Sequence, residues 1–174
     1  MSILGVDPGS RHMGWGVVRR EGTRLLHIAH GVIDVDTDAP FADRLCEIER
    51  ELEKVVQAHR PSGCAVEAMF FGKDASAAAK LGHARGVALL VLARAGLAVA
   101  EYEPALVKRN VGGSGRSDKR QVAMIVSAML HLSTPPRPDA ADALAIAIMH
   151  ANVSAVRARL VRMRRPAKMG PLGG

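Results

Sequence analysis

A chain of 174 residues, 48% of them apolar, is long enough for one domain with a proper hydrophobic core. Charged or polar residues interrupt every apolar run before it reaches bilayer-spanning length, and the only two cysteines, Cys46 and Cys64, lack metal-ligand spacing and read as buried free thiols. The net charge of +7 belongs mostly to the end of the chain: Arg157, Arg159, Arg162, Arg164, Arg165 and Lys168 supply six of the 24 basic residues, and no acid follows Asp142.

Setting that tail aside, what stands out is segregation. Residues 34–54 carry eight acids and three bases, whereas residues 55–142 carry eleven bases and seven acids. One side of the molecule is expected to be basic and another acidic, as a DNA-binding enzyme requires; an ordinary solvated surface is the alternative. The sequence opens directly on a strand, without a basic segment followed by an apolar run and a cleavage site, so a cytoplasmic protein is expected.

In chain order, Ile3-Leu4-Gly5-Val6-Asp7 reads as a strand that ends in a Pro8-Gly9 turn, and residues 13–18 read as a second strand. Gly22 marks the next turn, and residues 24–33 form a third strand. Residues 34–40 are a loop. From Phe41 to His59, Phe41, Leu45, Ile48, Leu52, Val55 and Val56 share one helical face. A fourth strand is expected over 64–71 and an alanine- and leucine-rich helix over about 75–95, in which Ala78, Gly82 and Gly86 leave room for another helix. A fifth strand follows over 97–102, then a short helix from Pro104 to about Asn110 and a glycine loop over 112–115. Ser117 or Asp118 caps a helix that runs to Leu130. Pro135, Pro136 and Pro138 stop the chain there, and a last helix runs from Asp139 to about Asn152. The order βββαβαβααα predicts an α/β sandwich, with helices packed on a sheet that is part antiparallel and part parallel.

Three places put acids where burial makes them costly. Asp7 ends the first strand, Glu67 lies inside the fourth, and Asp139 and Asp142 stand three apart on one face at the start of the last helix. Two of the three have an ordinary explanation alone: Asp before Pro-Gly forms turns, and acids at a helix start act as caps and favour its dipole. Together they point to a cation, because buried carboxylates on separate elements repel unless something positive gathers them. With no His/Cys cluster to favour zinc, a hard divalent ion with oxygen ligands fits, and magnesium is the usual choice when phosphate completes the shell. Two such ions about 3.5–4 Å apart are suited to activating water and stabilising the leaving oxygen of a phosphodiester.

Four stretches in order closely resemble the RuvC Holliday junction resolvases: Gly-Val-Asp-Pro-Gly-Ser-Arg (5–11), Val-Glu-Ala-Met-Phe (66–70), Lys-Leu-Gly-His-Ala-Arg-Gly (80–86) and Asp-Ala-Ala-Asp-Ala-Leu-Ala-Ile-Ala (139–147). The resemblance covers about residues 1–153. It implies an RNase H-like fold, with a mixed five-stranded sheet flanked by helices; past the family's shared core, the basic, Gly- and Pro-containing stretch over 154–174 reads as a partly disordered tail. The resemblance implies a magnesium-dependent endonuclease, with two ions per site and manganese able to substitute. Such an enzyme works as a homodimer, nicks opposed strands of a four-way DNA junction during recombination and repair, and leaves 5′-phosphate and 3′-hydroxyl ends. RuvA and RuvB are the partners it implies. Matched by position, Asp7, Glu67, Asp139 and Asp142 correspond to the family's catalytic carboxylates.

The same resemblance matches Phe70 to a side chain that wedges against unstacked bases; on the residues alone, Phe70 and Phe71 read as core. It also matches Lys108 and Lys119 to contacts near the scissile phosphate. Arg116 and Arg120 lie beside the same glycine loop, and Lys73, Lys80 and Arg85 are further candidates for DNA contact. Without a carboxylate site nearby, these cations read as a solvated loop. Two other classes compete. A sugar-kinase or actin-like phosphotransferase needs a second glycine-rich phosphate turn and a second related domain, for which the chain is too short. A non-catalytic DNA-binding module gains nothing from acids that face phosphate.

Overall fold

The computed structural model describes residues 1–68, 74–112 and 119–164. Ten elements follow in the expected order: β1 (Ser2–Asp7), β2 (His12–Glu21), β3 (Arg24–Asp34), α1 (Phe41–His59), β4 (Gly63–Glu67), α2 (Ala75–Arg94), β5 (Val99–Tyr102), α3 (Pro104–Gly112), α4 (Lys119–Leu130) and α5 (Pro138–Arg164). The strands form one sheet in the order β3-β2-β1-β4-β5. The first three strands are an antiparallel meander, and β4 and β5 continue the sheet in parallel with β1. The mixed α/β sandwich read from the sequence is therefore present.

Alternation along the strands divides the core in two. Leu4 and Val6 of β1, with Cys64 and Val66 of β4, pack beneath α1 and α2. Ile3 and Ala65 face the other way, into a second cluster with α3, α4 and α5. α1 buries Ile48, Leu52 and Val55 on the face its periodicity predicts. α2 starts at Asp74, whose carboxylate accepts from the backbone N–H groups of Ser76 and Ala77 at 2.9 and 3.1 Å.

α5 is the central helix of the second layer. From Ala140 to Ala151 it is buried almost continuously, apart from Asp142 and His150. It comes unusually close to the sheet because the strands beneath it carry glycine. A β-carbon at Gly5 would lie 2.1 Å from the carbonyl oxygen of Ala143, and one at Gly16 would meet the Leu144 side chain at 2.7 Å. Small residues on both sides let backbone pack on backbone.

Three expectations need correction or limits. The last helix does not stop near Asn152 but runs to Arg164. Between Ser154 and Arg164 nothing breaks a helix, and alanine, arginine and leucine favour it; the first proline after α5 is Pro166. Cys46 is exposed, although Cys64 is buried as expected. One residue after Leu45, it points about 100° away from the apolar stripe of α1. The described part of the fourth strand ends at Glu67; residues 69–73, 113–118 and 165–174, with Phe70, Lys73, Arg116 and the Ser117/Asp118 cap, lie outside the described residues. Among the described residues no helix is long and apolar enough to cross a membrane.

Candidate active site

The parallel pairing of β1 and β4 fixes the first half of the site. Val6 lies opposite Val66, and the next residues on the two strands are Asp7 and Glu67. Strand neighbours in a sheet are about 4.8 Å apart, so the strand ends set these acids side by side. Both continue the alternation of Ile3 and Ala65 onto the α5 face of the sheet.

The antiparallel pairing of β1 and β2 fixes the second half. Asp7 lies opposite Gly14, and Gly14 is packed directly against the backbone of Asp139 at the start of α5. Asp142 follows one turn later. All four acids line one cavity of about 430 Å³. The Pro8–His12 turn, Pro104, Val107 and Lys108 of α3, Val122 of α4 and Ala145 of α5 complete its wall. The four acids are half-buried rather than sealed in the core, so a substrate can reach them.

The donor set has the composition a hard divalent ion requires: four carboxylates and no thiolate. His12 shares the cavity, but its Nδ1 is 2.6 Å from Asp34 Oδ1 and is taken up there. Among the described residues no three His, Cys, Asp or Glu side chains close into a ready-made metal cage. The acids instead line the wall of an open cavity.

Of the expected cations, Lys108 lines the cavity and is half-buried. Lys119 begins α4; its side chain is outside the described residues. Arg120 and Lys80 are exposed on α4 and α2 and do not line the cavity. Arg85 turns inward. Its Nε donates to the Glu67 carbonyl oxygen at 3.2 Å, and its Nη2 donates to the Glu101 carboxylate. Ser10, Arg11 and His12 belong to the cavity but were not singled out from the sequence as site residues. Their signal was proximity, since a turn that leaves Asp7 at its mouth carries the next five residues around the same opening.

Beside the cavity, Asp34 at the end of β3 accepts from Arg137, the residue before α5, and pairs with His12. The Arg137 guanidinium, helped by His12, holds the Asp34 carboxyl down at about 2.

A five-stranded 3-2-1-4-5 sheet with acids at the ends of β1 and β4 and at the start of a helix packed across them is an RNase H-like nuclease architecture. The sequence profile of the family described as Crossover junction endodeoxyribonuclease RuvC matches residues 3–150. The chain is 58% identical over 166 residues to the Crossover junction endodeoxyribonuclease RuvC of Sorangium cellulosum, a match covering 95% of this chain and 93% of that protein. It is 48% identical over 158 residues to the Caulobacter vibrioides protein of the same name, covering 91% and 94% of the two chains. In three dimensions it is similar to Thermus thermophilus RuvC in complex with Holliday junction substrate, with a TM-score of 0.83, 35% identity, and coverage of 90% and 96%. The chain belongs to the RuvC family.

Proposed function

We propose that this chain is a magnesium-dependent endonuclease that resolves four-way DNA junctions by paired nicks. The observation that carries the reading is the meeting of Asp7, Glu67, Asp139 and Asp142, from three separate elements, on one cavity of a RuvC-family fold. A purely structural role would not need four acids around an opening that also holds Lys108 and Arg11.

In this reading Asp7, Glu67, Asp139 and Asp142 hold the metal. When bound, magnesium lowers the pKa of an attacking water and offsets charge on the leaving oxygen. The chain's own residues do the rest. Lys108 and Arg11 oppose the negative charge of the phosphate, and Lys119, at the start of α4, is a second lysine for the same strand. The Pro8–His12 turn sets the edge against which the phosphodiester rests. Phe70 follows Glu67 by three positions and serves as the wedge against unstacked bases beside the cut. Arg116, Arg120, Lys73 and Lys80 extend the electrostatic footprint along the DNA.

Symmetric cutting of opposed strands requires two such sites, so the working form is a homodimer in the cytoplasm. The exposed groove along α2 supports that form. It is lined by Leu45, Ala79, Gly82, Val87 and Leu90 among others, and Leu90 is 46% exposed. The resemblance to RuvC resolvases extends the proposal to RuvA and RuvB as partners.

The test is purified protein incubated with synthetic four-way, three-way and linear duplex DNA, with Mg²⁺ or EDTA. Paired nicks at symmetric positions in the four-way junction, abolished by EDTA, support the reading. Equal cutting of all three substrates, or cutting in EDTA, would overturn it.

A further inference from the structure

Glu67 is the last residue of β4, one position beyond the end of its register with β1. The last residue of β4 paired with β1 is Val66, opposite Val6. On the other side Glu67 lies opposite Tyr102, and Ala68 N–H donates to the Tyr102 carbonyl at 2.8 Å. Strand ends fray readily, and a carboxylate carried on one moves with the backbone.

Arg85 reaches that strand end from the α2 face of the sheet. It sits on α2 beside Ala84, which is fully buried. Its side chain is only 14% exposed, a state that a guanidinium tolerates only with its donors satisfied. One donor takes the backbone carbonyl of Glu67, and another takes the Glu101 carboxylate on β5, the strand next to β4. Glu101 lies opposite Val66, so its side chain shares the α2 face while the Glu67 carboxylate projects toward α5. The planar guanidinium thus ties the end of β4 to β5 and to α2 at once. A lysine, a point charge without a fork, cannot span both acceptors in fixed geometry.

We propose that Arg85, anchored by Glu101, is a positioning residue that fixes the backbone of Glu67 and so the aim of its carboxylate into the cavity. The proposal rests on the junction-cleavage reading above. It separates Arg85 from the phosphate-contacting cations with which its charge and its place near Glu67 would group it.

The experiment compares wild type, Arg85→Lys, Arg85→Gln and Glu101→Gln as full-length proteins. Four quantities are read: single-turnover cleavage of a synthetic four-way junction, the Mg²⁺ concentration giving half the maximal rate, junction Kd in EDTA at several salt concentrations, and Tm. A small displacement of a catalytic group costs on the order of 10–100-fold in rate. A loss of at least about tenfold is therefore expected in Arg85→Lys and Glu101→Gln, with a raised Mg²⁺ requirement. Kd and its salt slope should stay at the wild-type values, and all proteins should be fully folded at the assay temperature. Weakened binding with a salt slope shallower by about 0.9 in the Arg85 variants, with Glu101→Gln cutting normally, would identify Arg85 as a phosphate contact and overturn the proposal. Wild-type rates in Arg85→Lys and Glu101→Gln would overturn it too, as would rate losses that only track a fall in the folded fraction. A wild-type protein that binds but never cuts the junction refutes the nuclease reading itself, a result distinct from any of these.

Discussion

Arg137 grips Asp34 with both ends of its guanidinium, Nη1 2.5 Å from Oδ2 and Nη2 2.9 Å from Oδ1. The residues are 103 positions apart in the chain, and their pairing fastens the end of β3 to the residue that precedes α5. Because Asp139 lies two residues further on, the pair also braces the part of α5 that carries the first of its two acids. The carboxyl is held at about 2, below its ordinary 3.8.

A folded-state value below the unfolded one gives stability that is present above the ordinary carboxylate range and lost as pH falls toward 2. Asp34→Asn is therefore expected to melt slightly below wild type at neutral pH, and the gap should narrow as pH drops below about 4. The pair is exposed to solvent, so the gap is small and shrinks in high salt. Thermal unfolding across that pH range checks this. A gap that stays constant with pH would mean the carboxylate's charge is not what matters.

Gly14→Ala is expected to fail for a steric reason. A β-carbon there would lie 1.9 Å from the carbonyl oxygen of Asp139, and neither backbone can yield without moving α5 off the sheet. Overpacking of this kind costs about 1–3 kcal/mol, and more where only backbone can give way. Denaturant unfolding should report that loss, and cleavage should fall with it because Asp139 is displaced relative to Asp7. Wild-type stability in Gly14→Ala would show that α5 does not sit where described.

The two thiols should separate cleanly. Burial pushes the Cys64 thiol up to about 11, and its Sγ lies 3.6 Å from the Ala98 carbonyl oxygen; Cys46 is exposed on α1. One thiol per native chain should react quickly with a thiol reagent near neutral pH, and two in denaturant. Rapid labelling of Cys64 in the native protein would place β4 nearer the surface than the sheet order allows.

Removing residues 157–174 should spare the chemistry. The continuously buried stretch of α5 ends at Ala151, and Val156 and Leu160 are exposed, so the truncation removes little core. It does remove the concentrated basic charge. Non-specific DNA binding should weaken, with the salt slope shallower by about 0.9 for each phosphate that the shortened chain no longer neutralises. Single-turnover cleavage should persist; its collapse would give the end of the chain a direct part in the reaction.

Much of the frame was legible because it follows from local pattern. Periodicity set α1, alternation set the strands, and Pro-Gly set the turn after Asp7. The sheet's pairing was not legible, and it explains more of the site. Nothing local says that β4 lies parallel beside β1 so that Asp7 and Glu67 end together. Nor does it say that Gly14 is bare because Asp139 rests on it. The acids themselves were conspicuous, since carboxylates in apolar runs carry a cost that position alone reveals. Arg85 reads in the sequence as one more candidate for DNA contact, because an arginine on a helix shows its charge in sequence but not its direction. Cys46 was misplaced for a related reason: a residue beside an apolar stripe reads as part of it until the helix is turned through about 100°.

The most direct test of the central claim is single-turnover cleavage of a synthetic four-way junction by Asp7→Asn in Mg²⁺, with junction binding measured in parallel. If the four carboxylates act together on a bound metal, cleavage should fall by at least about 100-fold while binding is unchanged or tighter, because the variant removes negative charge beside the phosphate. Cleavage at the wild-type rate with binding intact would contradict the assignment of this cavity as the active site.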